Sequence, residues 1–327
     1  MAVTNPAPGT GLAPSPLDAG AAVATGWRAR RRSSGRPAWM EEPSLLAQLG
    51  KGLFLAFIAL IMLFPIVYVV AVSFSSAKDV LGGGLILWPK NPSLEAYRAL
   101  LRGGIVRHAL MVSVGLVVFG TTAKMLFTIA LAYGLSKRGV PGARVVLFMV
   151  LGTLLFSPGM IPNYLLVKNL GLINTYQSLI LPGLISAFNL VVLRNFFMSI
   201  PAELIEAARL DGASDWQILW RVVLPLSKAA LAVVALFYGV EIWNSFFNAV
   251  LYLNDASKWP IQLVLRQYVL QGSALASAAE LNPNQPPPPA QTIQMAIVVL
   301  ATAPILLVYP FLQRYFAKGV LSGAIKG

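Results

Sequence analysis

The sequence predicts an all-α protein that crosses a membrane six times, and three observations carry the prediction. Of 327 residues, 57% are hydrophobic and only 11% are charged, against roughly a quarter charged in an ordinary soluble domain. Six apolar runs, each long enough to cross the ~30 Å of hydrocarbon in a bilayer, are separated by polar segments. With the N-terminus inside, sixteen lysines and arginines fall on the inner segments and eight on the outer ones. Basic residues accumulate on the cytoplasmic side of membranes, so both termini are expected in the cytoplasm. The formal charge of +13 then reads as topology, and no nucleic-acid partner is expected. The chain has no cysteine and one histidine, His108. That excludes thiol chemistry, a histidine-based metal site and a His-dependent triad.

Residues 1–44 are rich in Ala, Pro, Gly and Ser and carry Arg28, Arg30, Arg31, Arg32 and Arg36. Such a composition builds no core, and a disordered basic cytoplasmic tail is expected. It either touches anionic headgroups or only fixes orientation. No cleavable signal is expected, because the first apolar run starts late, near Leu53.

Residues 45–327 form the membrane domain, with spans expected at about Leu53–Phe74, Ala109–Leu135, Val145–Leu166, Tyr176–Met198, Leu226–Leu251 and Ile293–Phe316. Pro65 is a candidate kink in the first. Ser157-Pro158-Gly159 breaks the third, either beside a cavity or as a simple kink. The last outer loop holds a proline run, Asn282 to Pro289, which favours extended polyproline II and reads best as a spacer.

Between the fourth and fifth spans lies a polar stretch, about residues 199–225, that reads as two short helices and a break. Pro201 suits a first helical turn, and Glu203 and Glu206 sit early, near the positive end of the helix dipole. Ala207 and Ala208 give a small-residue surface. Gly212 can take positive φ and end the helix. Ser214 restarts it, with Gln217 at capping-box spacing. Trp216, Leu219, Trp220 and Val223 fall at i, i+3, i+4, i+7, one expected apolar face. Pro225 interrupts the pattern where the next apolar run begins. On pattern alone the stretch is either an interfacial helix on lipid or a surface shaped for a partner.

Two ionisable residues fall inside expected spans, Lys124 in the second and Glu241 in the fifth. Such residues are costly in lipid and point to function. Lys124 either snorkels or pairs within the bundle. Glu241 precedes Trp243, Asn244 and Asn248. A carboxylate, an aromatic ring and amides suit a carbohydrate, and equally an interfacial aromatic belt. No G-x-x-x-x-G-K-[ST] phosphate loop and no catalytic cluster occur in the sequence, so no enzyme and no bound cofactor are expected.

The spacing Glu206-Ala207-Ala208, Asp211-Gly212 and Val222-x-Leu224-Pro225 resembles the EAA loop of ABC importer permeases, with Val222 where the family usually has isoleucine. Ser257 to Arg266 and the ending Gln313 to Gly327 resemble the carbohydrate (maltose-type) branch, over about residues 45–327. The resemblance implies a type I ABC importer permease fold with a cytoplasmic coupling helix, in a bacterial inner membrane. Glu206, Ala207, Ala208, Asp211, Gly212, Trp216 and Pro225 would then serve ATPase coupling. Glu241, Trp243, Asn244 and Asn248 would line the translocation path, and Lys318 and Lys326 would place the tail at the ATPase. The implied partners are a second homologous permease, two ATPase subunits that hold ATP and Mg, an extracytoplasmic solute-binding protein and a sugar or oligosaccharide. The rival reading is an ion-coupled secondary transporter acting alone, which tends to need buried carboxylates and broken-helix repeats.

Overall fold

The structure, a computed structural model, describes residues 44–137, 139–156, 158–271 and 288–324, with side chains as far as residue 310 in the last helix. The tail expected over 1–44 falls, up to residue 43, outside the described residues, as do most of the proline run and Lys326. Among the described residues the elements are helical, with one isolated antiparallel bridge, Ser75 to Pro92.

Helix α1, Leu45–Ser73, is assigned without interruption through Pro65. The described residues 44–62 belong to one unit, and their side chains are almost all exposed. From Leu63 onward the chain belongs to a second, larger unit.

In that unit, α2 (Ala77–Leu81) and α3 (Glu95–Arg102) follow α1. Ser76 caps α2, and the Asp79 carboxylate accepts from the backbone and side-chain N–H groups of Asn91 at 2.8 and 2.9 Å. These bonds hold the Asp79 carboxyl below the usual aspartate value. Helix α4, Ile105–Ser136, is the long central rod. The third expected span is two helices, α5 (Ala143–Leu155) and α6 (Met160–Asn169), parted where Gly159 takes φ +81°.

The fourth is α7 (Gln177–Ile180), a 3-10 turn Leu181–Gly183, and α8 (Ala187–Met198), bent by 55°. The polar stretch gives α9 (Ala202–Leu210), α10 (Asp215–Ile218), a π turn Leu219–Val223 and α11 (Leu224–Leu226).

The fifth span departs from the single run expected over Leu226–Leu251. Helix α12 (Lys228–Trp243) ends at Asn244, and α13 (Phe246–Tyr252) restarts after Ser245. The Ser245 hydroxyl donates to the Ile242 carbonyl at 2.7 Å, the side-chain competition that weakens a helix interior. Helices α14 (Ile261–Gln271) and α15 (Ala290–Ala324) complete the order. By length and composition, α1, α4 and Ala290–Pro310 can each cross a membrane, and two bent pairs qualify together.

Helix α4 packs along both α12 and α8, and α15 lies on α12, α14 and α3. Close approach is possible because Gly120 of α4 has no side chain. A Cβ there would sit 2.8 Å from Ile242 and 3.3 Å from Ile180. Apolar cores form at both ends of α4. One joins Val106 and Ala109 to Trp243, Ile261, Tyr268 and Ile297, and the other joins Ala132 and Leu135 to Leu190, Leu193, Ile218 and Val223. The Ser257–Arg266 tract has structural work at the first of these ends. Lys258 donates to the Asn174 carbonyl at 2.8 Å, and the Trp259 indole donates to the Leu253 carbonyl at 3.1 Å.

Candidate functional site

Two constructions stand out, one at each level of α4. The first is the polar stretch. Helix α9 ends in a Schellman turn: the Gly212 N–H bonds to the Arg209 carbonyl and the Ala213 N–H to the Ala208 carbonyl, at 3.0 and 2.9 Å. Gly212 takes φ +82°, which a side chain would strain. Ser214 then caps α10, and with Gln217 it closes a full capping box. Asp215, in the first turn of α10, meets the Lys137 amine at 2.8 Å, and its backbone carbonyl accepts from the Tyr133 hydroxyl at 3.1 Å. The bond from Lys137 holds the Asp215 carboxyl below its ordinary value. The paired-helix loop is thus clamped to the end of α4.

Its other face is open. Trp216 and Trp220 are 67% and 59% exposed, with Leu204 and Leu210 also outward. Pro201, Glu206, Ala207, Asp211, Gly212 and Pro225 are exposed too, and Ala208 is half-buried. The single apolar face expected for Trp216, Leu219, Trp220 and Val223 is divided. Leu219 and Val223 are buried with Ile218, whereas both tryptophans turn out. The buried side is centred on Ile218 and Leu219, and at about 100° per residue it lies away from both tryptophans; Leu219–Val223 winds as a π turn. It precedes Pro225, which has no N–H to donate to the Arg221 carbonyl.

The second construction is a polar seam halfway along α4. Lys124 is 1% exposed and its amine meets Oε1 of Glu241 at 2.9 Å. Glu241 itself has a side chain 53% exposed. One turn along, the Thr128 and Tyr238 hydroxyls lie 2.7 Å apart, and the Tyr238 oxygen accepts from the Ser186 N–H at 3.0 Å. The seam therefore joins α4, α12 and the bend between α7 and α8. Lys124 also lies 5.3 Å from the centre of the Tyr238 ring.

The other expected path residues separate. Asn244 and Asn248 are exposed. Trp243 is buried, and its indole N–H donates to the Ala301 carbonyl at 3.0 Å. It thus pins α12 to α15, on a different side of the helix from Glu241. The backbone at Lys318 belongs to α15, but its side chain and Lys326 lie outside the described residues. Among the described residues no group of three or more His, Cys, Asp or Glu is placed to hold a metal. Sequence reasoning missed the Lys137–Asp215 clamp and the Thr128–Tyr238–Ser186 chain. It left Lys124 without a named partner, although two lone, opposite charges inside apolar spans were a signal for pairing.

The family described as binding-protein-dependent transport system inner membrane component matches residues 44–322. The chain belongs to that family. Such a permease is a transport component rather than an enzyme, and this membership does not favour the rival ion-coupled transporter. The permease is 47% identical to the polygalacturonan/rhamnogalacturonan transport system permease protein YtcP of Bacillus subtilis (strain 168), over 84% of this chain and 96% of that protein. It is 45% identical to protein LplC of the same organism, over 84% and 93%. Among solved structures, a bacterial ABC transporter involved in import of the acidic polysaccharide alginate aligns with a TM-score of 0.78 and 33% identity. That match covers 85% of this chain and 100% of the other. The type I ABC importer permease fold expected from the sequence is the fold observed, and the permease is a multi-pass inner-membrane protein.

Proposed function

We propose that the permease forms half of the translocation path of an ATP-driven importer for oligosaccharides, with its loop at residues 199–225 docked on an ATPase subunit. The observation that carries this reading is the open face of α9 and α10. A water-soluble loop has no reason to turn Trp216, Trp220, Leu204 and Leu210 outward unless something covers them. Its other side is meanwhile fixed to α4 through Asp215. Closure of the ATPase pair would push this loop, and the clamp would pass the movement into α4 and α12. The saccharide class comes from the relatives, whose names concern polygalacturonan and alginate.

The remaining parts of the assembly belong to the same reading. They are a second permease, two ATPase subunits holding ATP and Mg, and an extracytoplasmic binding protein. Both termini lie in the cytoplasm, and the tail with Lys318 and Lys326 reaches the ATPase.

The test is co-purification and uptake. The chain expressed with its genomic neighbours should copurify with an ATPase and import an oligosaccharide only when ATP is present. Uptake driven by an ion gradient without ATP would overturn the reading. Reporter fusions after Phe74 and after Leu251 should report the outer side, and one after Met198 the inner side.

A further inference from the structure

We infer that the exposed face of α12 carries a saccharide subsite, built from the Phe188–Phe237 ring pair and the free oxygen of Glu241, with Lys124 as the positioning residue beneath. The inference rests on the importer reading above and states where on this chain the sugar is met.

Helix α12 has three distinct sides. Ala230, Val234, Tyr238 and Ile242 recur every fourth residue and are buried. Leu236, Gly239, Val240 and Trp243 line an apolar groove of about 540 Å³ shared with α4 and α15. The third side shows Phe237, Glu241 and Asn244, all exposed. A carboxylate at mid-span is not left against hydrocarbon. The third side therefore faces water or another subunit, and the groove side suits lipid or a packed helix.

On the third side, Phe237 stands one turn from Glu241, and its ring lies 6.1 Å from that of Phe188 on α8, tilted by 47°. Exposed rings take the C–H faces of sugars, and a carboxylate oxygen accepts from their hydroxyls. Lys124 holds Oε1 at 2.9 Å, whereas no partner of Oε2 occurs among the described residues. The buried amine thus fixes one oxygen and leaves the other without a described partner, on a side chain that is 53% exposed. The pair also leaves the wall without net charge, so removing either member gives it a charge of known sign. Loss of Glu241 leaves a cation, which favours a uronate over its neutral ester. Loss of Lys124 leaves an anion, which does the reverse. A purely structural ion pair predicts no such opposite change.

Two measurements on the full complex in proteoliposomes test this. The chain has no cysteine of its own, so Phe237→Cys and Phe188→Cys can each be exposed to a charged, water-soluble thiosulfonate reagent. Both are expected to react, and protection of both would overturn the proposal whatever the complex transports. Uptake KM is then measured for trigalacturonate and its methyl ester. Phe237→Ala should raise both values several-fold. Glu241→Gln should lower the ratio of acid to ester KM several-fold, Lys124→Met should raise it, and the double variant should restore it. An identical ratio in the two single variants at matched abundance overturns the subsite. A wild-type complex that labels at both positions but imports neither probe and no other saccharide counts against the importer reading instead.

Discussion

Two ion pairs tie this permease to its central helix, and they differ in surroundings rather than in length. Lys137–Asp215 spans 2.8 Å, with side chains 23% and 60% exposed. Lys124–Glu241 spans 2.9 Å, but its lysine side chain is 2% exposed while the glutamate is 53% exposed. Attraction between unit charges grows as the surroundings lose water, and so does the penalty for stranding one of them. The outer pair is a trimmed surface contact that sets the angle of a loop. The inner pair is asymmetric: the buried lysine has Glu241 and the face of Tyr238 but no water to replace them, and the glutamate can fall back on water.

That asymmetry gives the largest expected effect. Glu241→Leu strands a buried ammonium, and breaking a buried pair in this way costs roughly 3–5 kcal/mol. Lys124→Met strands a half-exposed carboxylate and should cost clearly less. Thermal unfolding of the detergent-purified complex, read for both variants, checks the order. Equal losses would mean that the two members of the inner pair do not differ in their dependence on each other.

Next come the tryptophans of the loop. Buried aromatic anchors lose about 2 kcal/mol or more when truncated at an interface. Both are exposed in this chain, so Trp216→Ala should weaken ATPase binding about thirty-fold by that measure while leaving the unfolding temperature of the permease unchanged. Titration of the ATPase subunit onto immobilised permease gives the affinity. Unaltered binding in both Trp216→Ala and Trp220→Ala would remove them as anchors.

Gly212→Val acts on the same surface through the backbone. A β-branched residue at φ +82° costs roughly 1–2 kcal/mol, and no neighbouring atom crowds the position. The strain therefore falls on the angle between α9 and α10 rather than on packing. Membrane insertion and pairing with the sister permease should persist, while the ATPase is released on purification or its activity no longer responds to substrate. Full substrate-stimulated activity in this variant would sever the loop from coupling.

These regions also differ in how far the sequence announced them. The loop was legible because its signals are local. A capping box from Ser214 to Gln217, a glycine at a helix end and a proline after an apolar face are each decided within a few residues. Where local reasoning failed there, it grouped Trp216 and Trp220 with Leu219 and Val223 and left out Ile218, whose burial centres the inward side away from the tryptophans. The seam was legible only as two stray charges, since Lys124 and Glu241 stand 117 residues apart and nothing in either neighbourhood specifies the other. Trp243 shows the reverse case. Proximity in sequence to Glu241 and Asn244 suggested shared work, yet a helix turns about 100° per residue, and it points Trp243 at Ala301.

The smallest effect sharpens the contrast from the other side. Exposed pairs contribute roughly 0–1 kcal/mol, so Asp215→Asn should barely move the unfolding temperature. A double cycle with Lys137→Met should return a small coupling that fades as salt is raised. The sign with pH follows from the lowered carboxyl of Asp215. Its stabilisation is present above the ordinary aspartate value of 3.8 and is lost as pH falls through the depressed folded value below it. At neutral pH the clamp is therefore fully formed, and its effect should appear in mechanics. Asn at 215 keeps the cap turn but loses the charge, and the angle of α10 against α4 then rests on the Tyr133 hydroxyl and the apolar packing of Ile218 on Ala132 and Leu135. A lower ratio of transport to ATP hydrolysis, at unchanged stability, is the expected result. A coupling energy equal to that of Lys124–Glu241 would mean that burial does not separate the two pairs.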